Sequence, residues 1–133
     1  MLDSVYYIMS SNINIVLVKT SHPGNIGSSA RAMKTMGLKK LTLVSPKNFP
    51  SEVADANAVG CKDILHQARV VDSLGKSLLD SSLVIGFSAR SRKSNVPSLT
   101  MDELFVTLKN YENDEVSIVC LLYTSPSPRD VLR

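Results

Sequence analysis

Cysteine is scarce in this chain: Cys61 and Cys120 are the only two in 133 residues. They fit neither a metal-ligand spacing nor a disulfide framework. Cys120 lies in an apolar, strand-like run and is a core position, while Cys61 follows Gly60 in a loop. A reducing cytoplasm is the expected compartment. No segment approaches the roughly 18–20 unbroken apolar residues that span a bilayer. The first residues, Met1-Leu-Asp-Ser-Val-Tyr-Tyr-Ile8, lack a positive stretch followed by a clean apolar one, so no secretory signal is expected. Also missing are His-x-x-x-His, an Asp/Glu pair at metal spacing and a Gly-x-Ser-x-Gly nucleophile turn. Neither Gly-x-Gly-x-x-Gly nor a Walker pattern occurs, which argues against an ordinary nucleotide-phosphate enzyme. His22 and His66 are isolated, and a lone loop histidine is more often structural than a ligand.

With 44% hydrophobic residues, the chain can bury one core of ordinary size. A repeating strand-then-helix rhythm predicts the elements. Residues 14–19 form a buried strand and residues 26–36 a helix closed by Gly37. Residues 41–44 are a second strand, followed by a short helix over 52–58 that Ser51 caps and Gly60 ends. A short strand at 69–71, a helix capped by Ser73 and a strong strand over 82–87 come next. Thr100-x-x-Glu103 is a capping box that opens a helix to about residue 110, and residues 115–122 supply a fifth strand. Such alternation predicts an α/β fold, with a parallel sheet of about five strands and helices on both faces. Met33 and Met36, at helical spacing, are expected to pack on the sheet. There is no internal repeat and no second domain.

The net charge is +3, which is compatible with nucleic acid without establishing it. Arg31, Lys34, Lys39 and Lys40 follow the first helix and its exit; Arg90, Arg92 and Lys93 crowd a later loop. Lys34 is a solvated helix position in the plainest reading, and Lys39-Lys40 a polar turn.

The most informative stretch is Thr20-Ser-His22-Pro-Gly-Asn25-Ile-Gly27-Ser-Ser-Ala-Arg31. Pro23-Gly24-Asn25 turns the chain after the first strand, and Gly27 leaves room for a ligand to approach the backbone. Free N–H groups at a helix start attract negative groups. Asn25 and Arg31 are about one and a half helical turns apart, so both can face the crevice beyond the strand's C-terminal end, where open α/β sheets place ligands. Read alone, Asn25 is a turn or cap residue and Arg31 a surface helix residue in a salt bridge.

Asn25-Ile-Gly27 with Ala30-Arg31-Ala32 resembles the first motif of the SpoU/TrmH-type RNA 2′-O-ribose methyltransferases of the SPOUT superfamily. Thr20-Ser21-His22, Met33-Lys-Thr-Met-Gly-Leu38 and Phe87-Ser-Ala-Arg-Ser-Arg92 tighten the likeness to the bacterial branch that modifies tRNA cytidine and uridine in the anticodon loop. The resemblance implies a methyl transfer from S-adenosylmethionine to a tRNA ribose. It implies that Arg31 activates the 2′-hydroxyl and that Asn25 shapes the loop and bonds the reacting nucleotide. Phe87, Ser88 and Ala89 would contact the cofactor, with Phe87 standing where threonine is usual; the plain alternative for Phe87 is a core aromatic at a strand end. His22, Arg90 and Arg92 would contact RNA, and no metal is implied. Family members usually pair as homodimers.

The likeness stops near Val119. The Gly/Glu loop and the Ser-Leu-Asn segment of the family, which build its trefoil knot and much of the cofactor pocket, are not matched. The expected organisation is therefore a methyltransferase portion over residues 1–120, without a knot, and a non-family or disordered tail over 121–133, where Pro126 and Pro128 break any periodicity. A chain so built is expected to be inactive alone. The competing reading is a non-catalytic RNA-binding or dimerisation module on the same half-fold.

Overall fold

The computed structural model describes residues 12–20, 22–87 and 98–121. Of the segments singled out in the sequence, Ser88 to Lys93 and the tail from Leu122 onward lie outside them. Five strands form one sheet in the order β3-β2-β1-β5-β4, every neighbouring pair parallel. They are β1 (Ile13–Val18), β2 (Lys40–Val44), β3 (Arg69–Val71), β4 (Leu83–Phe87) and β5 (Val116–Leu121). All five strand positions agree with the sequence reading to within a residue or two.

Five helices connect them: α1 (Pro23–Met36), α2 (Glu52–Asn57), α3 (Lys62–His66), α4 (Leu74–Ser77) and α5 (Met101–Asn110). Their starts follow the predicted chemistry. Ser51 Oγ accepts from Val53 N at 3.1 Å and Ser73 Oγ from Lys76 N at 3.2 Å. At α5 the capping box is complete, with Thr100 Oγ1 accepting from Glu103 N at 3.2 Å and Thr100 N donating to Glu103 Oε1 at 3.0 Å. That bond to the backbone N–H, first among its causes, holds the Glu103 carboxyl below the usual carboxylate range. Gly37 ends α1 in the left-handed region at φ 76°, where a side chain would be strained.

Two details differ from expectation. α1 begins at Pro23 rather than residue 26, because proline's fixed φ suits the first helical position, where its missing N–H costs nothing. Met36 is 63% exposed while Met33 is buried, so only one of the two methionines reaches the core.

Both faces of the sheet carry helices, unequally. Ile13, Ile15 and Leu17 of β1, with Leu41, Leu43, Val116 and Ile118, form the main core under α1, α2, α3 and α5. Helix residues Ile26, Ala30, Ala54, Ile64, Leu104 and Leu108 complete it. The opposite face holds a smaller apolar group, Val16, Val44 and Val119, packed with Val18, Val71 and Leu78 just after α4. Among the described residues no helix is long and apolar enough to cross a membrane.

That second face has a polar stripe that the strand pattern alone does not announce. Asn14, 4% exposed in the central strand, accepts at Oδ1 from Thr42 Oγ1 at 2.8 Å and donates through Nδ2 to Ser117 Oγ at 3.1 Å. The same amide reaches the Ser77 carbonyl at 3.4 Å, and Arg69 Nη2 reaches it at 3.1 Å. One side chain thus ties β2, β1 and β5 together and pins α4 to the sheet. Asn14→Ala takes from the buried Thr42 hydroxyl its hydrogen-bond partner, at a cost of about 1–3 kcal/mol, and unties β1 from Ser117, whose hydroxyl keeps its bond to Ser81. The expected loss is about 2–3 kcal/mol of unfolding free energy, measured by urea titration; an unchanged midpoint would show that water replaces the amide.

Candidate functional site

The C-terminal edge of the sheet is built by the chain as it leaves β1. Lys19 turns at φ 51°, unusual for a non-glycine residue, and its N–H donates to the Val44 carbonyl at 2.8 Å. Thr20 follows, 1% exposed, with its carbonyl accepting from Lys47 N at 3.1 Å. The Thr20 hydroxyl is buried without a hydrogen-bond partner among the described residues. His22, extended at φ −108° and ψ 115°, occupies the position before α1 and gives no side-chain cap. No acid lies in the helix's first turn. Among the described residues no side chain neutralises the positive end of the helix dipole.

The predicted residues on α1 are available to a ligand. Its buried stripe is Ile26, Gly27, Ala30 and Met33, which leaves Asn25 and Arg31 exposed on either side. At about 100° per residue the two lie roughly 120° apart around the helix axis. The helix therefore does not bring them together by itself; the long arginine side chain must supply the reach. Ser29 Oγ and Thr35 Oγ1 donate back to the carbonyls of Asn25 and Arg31, at 2.8 and 3.1 Å. Among the described residues Arg31 makes no ion pair.

Gly27 does something other than expected. A Cβ there would stand 2.3 Å from the Ala54 carbonyl oxygen and 2.8 Å from Asn57 Cβ. The space next to this glycine is filled by α2, so it serves helix packing and not ligand approach.

The second predicted loop follows β4. In register, Leu17, Cys120 and Phe87 form one row across β1, β5 and β4. With strands about 4.8 Å apart, the ends of β1 and β4 are about 10 Å from each other, on the same edge. Phe87 is 43% exposed, so it is no core aromatic. Among the described residues nothing lies within 4 Å of where a Cβ on Gly86 would stand. An exposed aromatic beside a glycine backbone is chemistry that fits the apolar base of an adenosyl group. Burial pushes the neighbouring Cys120 thiol up. Ser88, Ala89, Arg90 and Arg92 lie outside the described residues.

The lysines divide in a way the sequence does not announce. Lys34 pairs with Asp63 and Lys40 with Glu115, both at 3.4 Å. Lys19 and Lys47, which the sequence reading passes over, come to the same edge, where the Lys47 N–H bonds to the carbonyl of Thr20, the residue after Lys19. That placement depends on the parallel pairing of β1 with β2, a contact no local pattern encodes. Among the described residues no cluster of His, Cys, Asp and Glu could hold a metal ion.

Comparison with known proteins converges on one family. The SpoU rRNA methylase family model matches residues 12–120. The tRNA (cytidine/uridine/adenosine-2′-O-)-methyltransferase TrmJ of Pseudomonas aeruginosa is 51% identical over 113 residues, which is 84% of this chain and 44% of that protein. The tRNA (cytidine/uridine-2′-O-)-methyltransferase TrmJ of Sodalis glossinidius is 50% identical over 115 residues, 86% of this chain and 44% of that one. Among solved structures, TrmJ from Z. mobilis superposes with a TM-score of 0.77 at 31% identity, covering 89% of this chain and 53% of its own. A probable methyltransferase from Bordetella pertussis gives a TM-score of 0.77 at 28% identity, covering 98% and 78%. The chain spans about half the length of the curated relatives it matches.

Proposed function

The chain belongs to the SpoU rRNA methylase family, and on that premise we propose that it carries the N-terminal portion of an S-adenosylmethionine-dependent tRNA ribose 2′-O-methyltransferase. The observation that supports this most is that the parallel strands β1 and β4 end on one sheet edge, β1 leading into the motif helix α1 and β4 ending at Phe87. When bound, the cofactor supplies an electrophilic methyl group. Phe87, Ser88 and Ala89 hold its adenosyl part, largely through backbone groups.

Arg31 is the residue that makes the ribose hydroxyl reactive. A guanidinium, with a pKa above about 12, is a poor base but a strong anchor for phosphate and for negative charge developing on oxygen. Beside an RNA phosphate it lowers the cost of removing the 2′-proton. Asn25, at the third position of α1, bonds the same nucleotide and fixes the loop. His22, Arg90 and Arg92 bind the RNA backbone around it, and the open N-terminus of α1 adds its partial positive charge. The working unit is a cytoplasmic homodimer.

Residues 1–120 are assigned to the methyltransferase portion and 121–133 to a segment outside it. The 133 residues alone bind the cofactor poorly and do not transfer a methyl group, since a pocket with one wall cannot fix the donor against a 2′-oxygen. Misplacing reactants by about 1 Å already costs about a hundredfold in rate. The test compares this chain with a version continued beyond residue 120 by the C-terminal portion of the Pseudomonas aeruginosa relative. Labelled methyl should enter tRNA, at alkali-resistant 2′-O positions, only with the longer protein. Micromolar cofactor affinity or methyl transfer by the 133-residue chain would overturn the inactivity. No 2′-O-methyl product from the extended, folded protein would count against the enzyme reading and favour a binding module.

A further inference from the structure

We propose that Lys19 and Lys47 form a second RNA-backbone contact, a two-lysine clamp that holds the strand flanking the reacting nucleotide. This rests on the tRNA-methyltransferase reading and adds a part of the substrate footprint that neither loop motif contains. Three hydrogen bonds extend the sheet beyond its strands: Lys19 N to the Val44 carbonyl, Ser45 N to the Val71 carbonyl, and Lys47 N to the Thr20 carbonyl, at 2.8, 2.8 and 3.1 Å. They seat the residues after β1, β2 and β3 side by side as one continuous rim. The Lys47 backbone N–H bonds to the carbonyl of Thr20, the residue next to Lys19, so both lysines stand on that rim, and both are exposed.

Among the described residues neither Lys19 nor Lys47 makes an ion pair. The rim's described loops hold one acid, Asp72, and Lys76 already binds that carboxylate at 2.9 Å. The ion pair with Lys76 draws the Asp72 carboxyl below its usual range. Glu52, further along from Lys47 at the start of α2, makes no ion pair with it among the described residues. At the opposite end of the sheet the pattern reverses, since Lys40 at the start of β2 is matched by Glu115 before β5. Lys19 also holds a left-handed φ of 51° that glycine would take more easily, so the position carries a cation the turn does not require. With the start of α1, which has no side-chain cap, beside it, the rim forms a positive strip. Its chemistry suits successive phosphates of one nucleic-acid strand.

The experiment measures binding of unmodified bacterial tRNA to the 133-residue chain across a salt series. It compares the wild type with Lys19→Gln/Lys47→Gln, which keeps the aliphatic stems. A charge-matched control is Lys39→Gln/Lys62→Gln, whose lysines lie away from the rim. Circular dichroism and urea midpoints establish that each variant folds. Each phosphate contact contributes about 0.7 to the slope of log affinity against log salt. The rim variant should therefore bind on the order of tenfold more weakly at low salt, with a slope shallower by about 1.4. The control should keep a wild-type slope, and Lys19→Arg/Lys47→Arg should restore binding. Equal losses in the rim and control variants would reduce the effect to net charge and overturn the clamp. So would an unchanged slope in the rim variant; both outcomes leave the RNA reading standing. A wild-type chain that binds tRNA without salt dependence would instead sink the RNA reading and the clamp with it.

Discussion

Arg31→Ala should lower kcat for methyl transfer by about 10²–10³-fold, the range seen when one charge-stabilising donor is taken from an active site, while the protein stays folded. The structural side of that expectation is secure in the helix pattern. Arg31 lies off the buried stripe of Ile26, Gly27, Ala30 and Met33, and alanine is the better helix former. Among the described residues it makes no ion pair whose loss would weaken the fold. The chemical side depends on what the guanidinium does. If it stabilises the forming alkoxide together with the RNA phosphate, kcat falls and KM for tRNA changes little. If it only anchors phosphate, KM rises and kcat at saturation survives. Arg31→Lys keeps the charge but loses the planar fork, so it should recover a small part of the rate. The assay is single-turnover methylation of tRNA by the extended protein, with urea unfolding of each variant alongside. Wild-type turnover in Arg31→Ala would remove the residue from catalysis.

How much of this was legible in the sequence divides along the range of the interactions. The strands stand out because each is a short apolar run closed by turn formers, and three helix starts stand out because Ser51, Ser73 and Thr100 carry their capping chemistry in the residue type. α3, a five-residue helix at Lys62–His66, escapes such reading because it has no side-chain cap. Pro23-Gly24-Asn25 has the composition of a turn, and proline at a helix start is the rarer use that applies here. Asn14 looked like an ordinary strand position because its partners Ser77 and Ser117 are 63 and 103 residues away. Lys19 and Lys47 belong to the same class of long-range fact. Of the proposed site residues, His22, Asn25, Arg31 and Phe87 fall within the described residues, while the second loop, from Ser88 on, lies outside them.

Gly27 was the motif residue whose role changed most, and its replacement should be the most damaging to stability. In a helix interior, Gly→Ala normally gains about 1 kcal/mol. Here the added methyl would meet the Ala54 carbonyl oxygen at 2.3 Å, Asn57 Cβ at 2.8 Å and Ala58 N at 3.1 Å. Two of these are backbone atoms of α2 and the residue that ends it, so relief requires the two helices to separate. Ala54 and Ala58 are both fully buried in the main core, and a shift would open gaps around Ile26 and Ile64 as well. Overpacking of this kind typically costs about 1–3 kcal/mol; with rigid backbone as the obstacle, Gly27→Ala should lose about 3 kcal/mol net, and Gly27→Val more. Gly24 is the internal control. Its added Cβ would lie 2.6 Å from Asn57 Nδ2, the far end of an exposed side chain that can swing away. Gly24→Ala should therefore be within about 0.5 kcal/mol of wild type, the usual range for surface changes. Urea unfolding of the two variants decides the matter. Equal stabilities would mean that α2 yields to a methyl group at no cost, and that the packing of the two helices does not require Gly27.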